Sequence, residues 1–224
     1  MTHKKAIIDD GFCPQLIEGA KLDGIFEIPH INCPKAFRIP NFIIPFSQIN
    51  RGIPETDAIG FFEFDVFFAD ILRNPDLYID TFKKYFTVIT LDCSIYRDMP
   101  FAAQVANTYR NRALGYYFQK NGVYTVPLIR WGDERSYSKV LHSECLAFQG
   151  VDKHSIYAVS SYGCLKKRED KYHFQAGLNA LMEELEPKVL LTYGSDSPKI
   201  YGPYEKYVKI IHYPDWISLQ KGGE

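Results

Sequence analysis

The chain has 224 residues, 46% hydrophobic, 15% aromatic and 24% charged, which supplies apolar material for one full-sized core and excludes a chain disordered by composition. Its 26 Lys and Arg against 27 Asp and Glu leave a net charge of −1, so no global basic field drives adhesion to nucleic acid or membrane. No stretch reaches the ~18 consecutive apolar residues of a membrane span, and the opening residues lack the apolar run of a signal peptide.

Residues 1–40 scatter Pro14, Pro29, Pro34 and Pro40 with little periodicity, and they are expected to wrap irregularly on a single domain spanning 1–224. From Asn41 the pattern changes to short apolar runs at 42–46, 58–64, 86–91, 124–129, 156–160, 189–193 and 208–213. These read as strands, several without polar alternation, as in a parallel sheet covered on both faces. Asn74-Pro75 starts a helix that carries Leu77, Phe82 and Tyr85. A second helix begins at Asp98 and Pro100 and runs to Asn121, with Gly122 placed for a left-handed stop and Val105, Tyr109, Ala113 and Tyr117 as its packing stripe. A third starts near Asp170, shows Phe174, Leu178, Leu181 and Leu185 on one face, and ends before Pro187. Strands alternating with helices define an α/β fold with a mostly parallel sheet and βα repeats. The absence of a Gly-rich phosphate fingerprint favours a barrel-like arrangement, incomplete or small, over an open doubly wound sheet.

In either architecture the loops after the carboxyl ends of the strands form the working face, because helix N-termini and free amides converge there. Two segments, 91–98 and 130–135, concentrate charge at such ends. Asp92, Asp133 and Glu134 are the candidate acid/base residues, and Asp65, Asp92 and Asp133 could offer oxygen ligands to Mg²⁺. Arg110, Arg112 and Arg130 are candidate anion clamps, with Trp131 and Tyr193 as further substrate contacts. The same residues could instead cap helices and brace loops through Arg–carboxylate pairs. Arg112 stands beside the packing stripe, and its burial would call for a carboxylate such as Asp92 or Asp133. Among the histidines, His212 at the last strand end is the acid/base candidate, against a satisfied structural role; His142 and Cys145 lack an orienting partner. The five cysteines form no Cys-x-x-Cys pair and read as small buried hydrophobes of a reducing cytoplasm.

Asp92-Cys93-Ser94-Ile95-Tyr96-Arg97-Asp98-Met99-Pro100, followed by Asn107-Thr108-Tyr109-Arg110-Asn111-Arg112 and Gly115-Tyr116-Tyr117, resembles the signature of a phage and bacterial family, domain of unknown function 4417. Val126-Pro127, Arg130-Trp131-Gly132-Asp133, Ala158-Val159-Ser160 and Tyr193-Gly194 are similar to it in the same order, so the likeness covers about residues 40–195. Cys93 departs from the pattern, which weakens a catalytic thiol there. The resemblance implies a phage or prophage protein of the host cytoplasm and brings no catalytic residue with it. The residues themselves suggest a hydrolase or phosphoryl-type enzyme acting on a phosphate-bearing substrate, a nucleotide or nucleic acid. The alternative is a non-enzymatic protein that binds or inhibits a host protein.

Overall fold

The structure is a computed structural model, and it describes residues 13–221. Residues 1–12 of the irregular opening segment lie outside that range. The remainder of that segment holds one helical turn, α1 (Pro14–Ile17), and a small antiparallel pair, β1 (Leu22–Asp23) with β2 (Ile28–Pro29).

All seven expected strands are present, most of them shorter than the apolar runs that announced them. They are β3 (Ile43–Pro45), β4 (Ala58–Gly60), β5 (Thr87–Ile89), β6 (Thr125–Val126), β7 (Ile156–Ser160), β8 (Val189–Tyr193) and β9 (Lys209–Tyr213). They pair in chain order and in parallel, as one sheet of β3-β4-β5-β6 and another of β7-β8-β9. A parallel bridge from Leu128 to Ala158 joins the two, through Ile129 N–H to Ala158 O and Ala158 N–H to Pro127 O, both 2.9 Å. No pairing joins β9 back to β3 among the described residues, so the barrel expected from the sequence is not closed by hydrogen bonds.

Between the strands run α2 (Ala69–Arg73), α3 (Asp76–Phe82), α4 (Phe101–Lys120), α5 (Glu134–Tyr137), α6 (Arg168–Leu185) and α7 (Pro198–Tyr201), with α8 (Trp216–Lys221) after the last strand. Gly122 takes the predicted left-handed conformation at φ 82°. The α6 stripe buries as expected: Phe174, Leu178, Leu181 and Leu185 pack with Ile129, Tyr157 and Val159.

The stripe assigned to α4 does not. Of Val105, Tyr109, Ala113 and Tyr117 only Ala113 is buried, and α4 instead buries Gln104, Thr108, Asn111, Arg112, Leu114, Gly115 and Phe118. Backbone and side-chain acceptors receive the amides of two polar side chains on this face. Asn111 Nδ2 donates to Leu91 O at 2.6 Å and Thr90 Oγ1 at 2.9 Å, and Gln104 Nε2 donates to Met99 O at 3.2 Å. The opposite face of the sheets collects Ile43, Ala58, Ile89, Val126, Ile156, Leu191 and Tyr213, a residue from every one of the seven parallel strands, into a single apolar cluster.

Candidate functional site

A cavity of about 330 Å³ opens at the carboxyl ends of β6 and β7, where the sequence places the working face. Its floor is Ile129, Arg130, Trp131 and Gly132 from the segment after β6, with Ser160 from β7. One wall is the 95–98 loop with Tyr96, Arg97 and Asp98. The other is the start of α6, contributing Lys167, Asp170 and His173. The N-terminus of this 18-residue helix has no side-chain cap, so its first amides add positive potential at the cavity.

Behind the floor Arg130 meets Asp92, which does not itself line the cavity; their side chains are 16% and 11% exposed, with Nε 2.9 Å from Oδ1. The approach is close, but the two groups are not aligned as donor and acceptor, and both atoms are buried without a hydrogen-bond partner. Burial raises the Asp92 carboxyl above its ordinary range even though Arg130 opposes the shift. Burial also works against the charge on Arg130, and Asp92 restores it. Arg130 Nη1 reaches Cys164 Sγ at 3.7 Å and Ser160 O at 3.5 Å, which turns the guanidinium toward the cavity.

Trp131 lines the cavity and is fixed by its indole N–H, which donates to His173 O at 3.0 Å. Asp133 caps α5, accepting from Arg135 N at 3.1 Å, and grips the Arg135 guanidinium at 2.6 and 3.0 Å. Burial alone would raise Asp133, yet these hydrogen bonds hold it below its ordinary value. Arg135 then donates to Met99 O at 3.0 Å, tying the β6 loop to the 95–98 wall. Glu134 is exposed, its carboxylate 3.7 Å from His173 Nδ1.

Of the candidates only Arg130 and Trp131 line the cavity; Asp92, Asp133 and Glu134 do not, and the remaining ones lie further off. Arg110 is exposed on α4 and donates to Asn107 at 2.9 Å. Arg112 is 2% exposed and has no carboxylate partner, contrary to expectation. It donates to Gln149 O, Leu128 O and Ala147 O at 3.0 Å each and to Asn111, and burial lowers it to about 10. Tyr193 belongs to the inner cluster, stacked on Phe62 with centroids 4.3 Å apart, and burial pushes its hydroxyl up to about 12. Asp65 is exposed and accepts from Ser94 Oγ at 2.9 Å. Asp65, Asp92 and Asp133 therefore do not gather into the Mg²⁺ site considered for them; among the described residues no three His, Cys, Asp or Glu side chains do. His212 bonds Thr192 Oγ1 at 2.7 Å and stacks edge-on to Tyr201.

Lys167 and His173 line the cavity and escaped the sequence reading, while Arg97, expected only as a loop brace, and Asp170, expected only as a helix start, line it too. Arg97 bridges to α6, pairing with Glu169 at 2.9 Å and Asp170 at 2.8 Å. His173 Nδ1 lies 3.0 Å from the Tyr137 hydroxyl. Lys167, Asp170 and His173 share one signal, position at the head of α6 after the β7 strand end, whereas Arg97 comes from the charged 91–98 segment.

No helix among the described residues is long and apolar enough to cross a membrane. Over 137 residues the chain is 31% identical to the Gene 1 protein of Mycobacterium phage D29, a stretch covering 61% of this chain and 48% of that protein. The Gene 1 protein of Mycobacterium phage L5 is likewise 31% identical over 137 residues, covering 61% and 57%. The chain thus spans about half the length of the curated relatives it matches. No solved structure matches at a significant level. The family match itself runs over residues 20–214, through every strand from β1 to β9 and the whole lining of the cavity, and the chain belongs to the family described as Domain of unknown function (DUF4417).

Proposed function

We propose that the chain is an enzyme of hydrolase or phosphoryl-transfer type that takes a phosphate-bearing substrate, nucleotide or nucleic acid, into the cavity at the carboxyl ends of β6 and β7. One observation carries this reading: Arg130, Lys167 and the uncapped N-terminus of α6 converge on the same 330 Å³ space. Three sources of positive potential in a partly enclosed cavity suit a phosphate and the charge that develops on it. Arg130 is the clamp, and Asp92, close behind it, is the positioning residue that keeps it charged and in place. His173, its Nδ1 oriented by the Tyr137 hydroxyl and with the Glu134 carboxylate 3.7 Å away, is the general acid/base. Asp133 acts indirectly, holding the loop that carries Trp131. The sequential parallel strands around one inner cluster support reading the fold as an incomplete barrel, in which this end of the strands is where sites form.

Thermal unfolding tests the reading with inorganic phosphate, nucleoside monophosphates and nucleoside triphosphates, each with and without Mg²⁺. A ligand at a hundred times its Kd adds about 2.7 kcal/mol, a readily measured rise in Tm. Lys167→Ala and Arg130→Ala should each diminish that rise; Lys167 is exposed, so its variant reports binding with the fold intact. A rise unchanged in both variants, or none with any ligand, defeats the proposal.

A second reading, a binding protein for a host partner, draws on one feature. Phe64, Val66 and Phe67, on the segment after β4, are 79%, 76% and 55% exposed, an apolar display of the kind that marks protein contacts. A Phe64→Ser, Val66→Ser variant that loses a host partner captured by wild type, while phosphate ligands leave both unaltered, would favour it.

A further inference from the structure

The surface around the cavity separates its charges. Glu169 and Asp170, the acidic residues in the first turn of α6, are both drawn to Arg97. Lys166, Lys167, Arg168 and Lys171 are exposed and take part in no ion pair among the described residues. With Arg97 these are five cations against three carboxylates, Asp98 on the facing wall being the third, a local excess of two positive charges on a chain whose net charge is −1. Exposed tyrosine rings stand among them. Tyr96 and Tyr162 line the cavity at 58% and 47% exposure, and Tyr172, 65% exposed, packs edge-on against His173 in the cavity wall. Gly163, at φ 80° with no neighbour within 4 Å of where a Cβ would project, leaves the approach between Tyr162 and α6 unobstructed.

From this arrangement we infer that the phosphate-bearing substrate is single-stranded nucleic acid, laid along a ridge of cations and tyrosines at the start of α6 with one nucleotide entering the cavity. The inference rests on the cavity reading above and names its substrate class. A free mononucleotide would use the cavity and leave the outward cations and Tyr172 unengaged. A duplex would hide the base faces that exposed rings can stack on. A single strand uses both features: lysines and arginine track the phosphates while tyrosines stack successive bases, a mode that tolerates any sequence. With no global basic field, the attraction is local and strongly dependent on salt.

Fluorescence anisotropy with a fluorescein-labelled oligothymidine of about a dozen nucleotides tests the inference, against a duplex of equal length and with thymidine monophosphate as competitor. The single strand should bind at least about tenfold more tightly than the duplex. Tyr162→Ala and Tyr172→Ala should each weaken it about tenfold, in keeping with the loss of one stacked base, and phenylalanine at either position should restore it. Lys166→Ala with Lys171→Ala, both outside the cavity, should lower the slope of log affinity on log salt by about 1.4, two phosphate contacts of a single strand. Equal binding of duplex, or indifference to the tyrosine and lysine substitutions, overturns the ridge. If thymidine monophosphate raises Tm in a Lys167-dependent way while the oligonucleotide fails to bind, the ridge is wrong and the cavity reading stands. If neither ligand binds, both fall.

Discussion

Arg112 is the residue whose role was hardest to read in one dimension. A buried guanidinium suggests a carboxylate, yet its partners are the carbonyls of Leu128, Ala147 and Gln149, atoms that every residue has and that no sequence pattern advertises. Replacing it by Met takes the donor from these three carbonyls and from buried Asn111 Oδ1, and a loss of about 3–5 kcal/mol follows, visible as a lower urea midpoint with an unaltered slope. Arg112→Lys should lose nearly as much, since one ammonium cannot span the three carbonyls. Asp133 was legible as a charged strand-end residue with capping and Arg-bracing as one of its two readings, and it does both with Arg135. Its ionised form is favoured in the fold, so its contribution is complete above the ordinary carboxyl value of 3.8 and is lost as pH falls through the lower folded value. Asp133→Ala should therefore cost about 1–2 kcal/mol at pH 7, with the gap to wild type narrowing as unfolding is measured further below pH 4.

At the scale of elements, strands were easier to read than helix faces. Tyr157, Ala158, Leu190 and Leu191 sit in unbroken apolar runs because each parallel strand is covered on both sides, and the runs mark the strands directly. Helix α6 announced its buried face because the side chains it buries are all apolar, Phe174 and three leucines, whereas α4 hides polar residues beneath and leaves Val105, Tyr109 and Tyr117 half-buried. His173 went unnoticed for a related reason: it precedes Phe174 at the head of a strongly apolar stripe, and its meeting with Tyr137 depends on a contact 36 residues distant. The packing of α6 also sets the cavity floor. Gly177 lies against the Trp131 indole so closely that a methyl group there would collide with Nε1 and the ring carbons. Gly177→Ala should gain about 1 kcal/mol of helix propensity and lose about 1–3 kcal/mol to overpacking. In a Trp216→Phe background, which leaves Trp131 as the single indole, its fluorescence should shift to the red as the ring is pushed from its bond to His173 O. An unshifted spectrum with raised stability would show that the floor yields freely.

Two sheets that meet at one bridge could behave as two folding units, but the distribution of apolar side chains argues otherwise. The inner cluster takes Ile43 and Ala58 from one end of the strand order and Leu191 and Tyr213 from the other. The Tyr213 hydroxyl reaches across the unpaired edge to Pro40 O at 2.7 Å. Neither sheet can leave without exposing the face that covers the other, so hydrophobic burial couples them where backbone hydrogen bonds do not. Leu128 stands at the seam, 1% exposed and paired with Ala158. Leu128→Ala should destabilise by about 2–5 kcal/mol, and the loss should reach both sheets alike. Amide hydrogen exchange checks this by site: the slowest amides of β4 and β5 and those of β7 and β8 should share one opening free energy in wild type and fall together in the variant. Separate free energies for the two sheets, or a loss confined to β7 and β8, would mean that the shared inner face does not bind them into one cooperative unit.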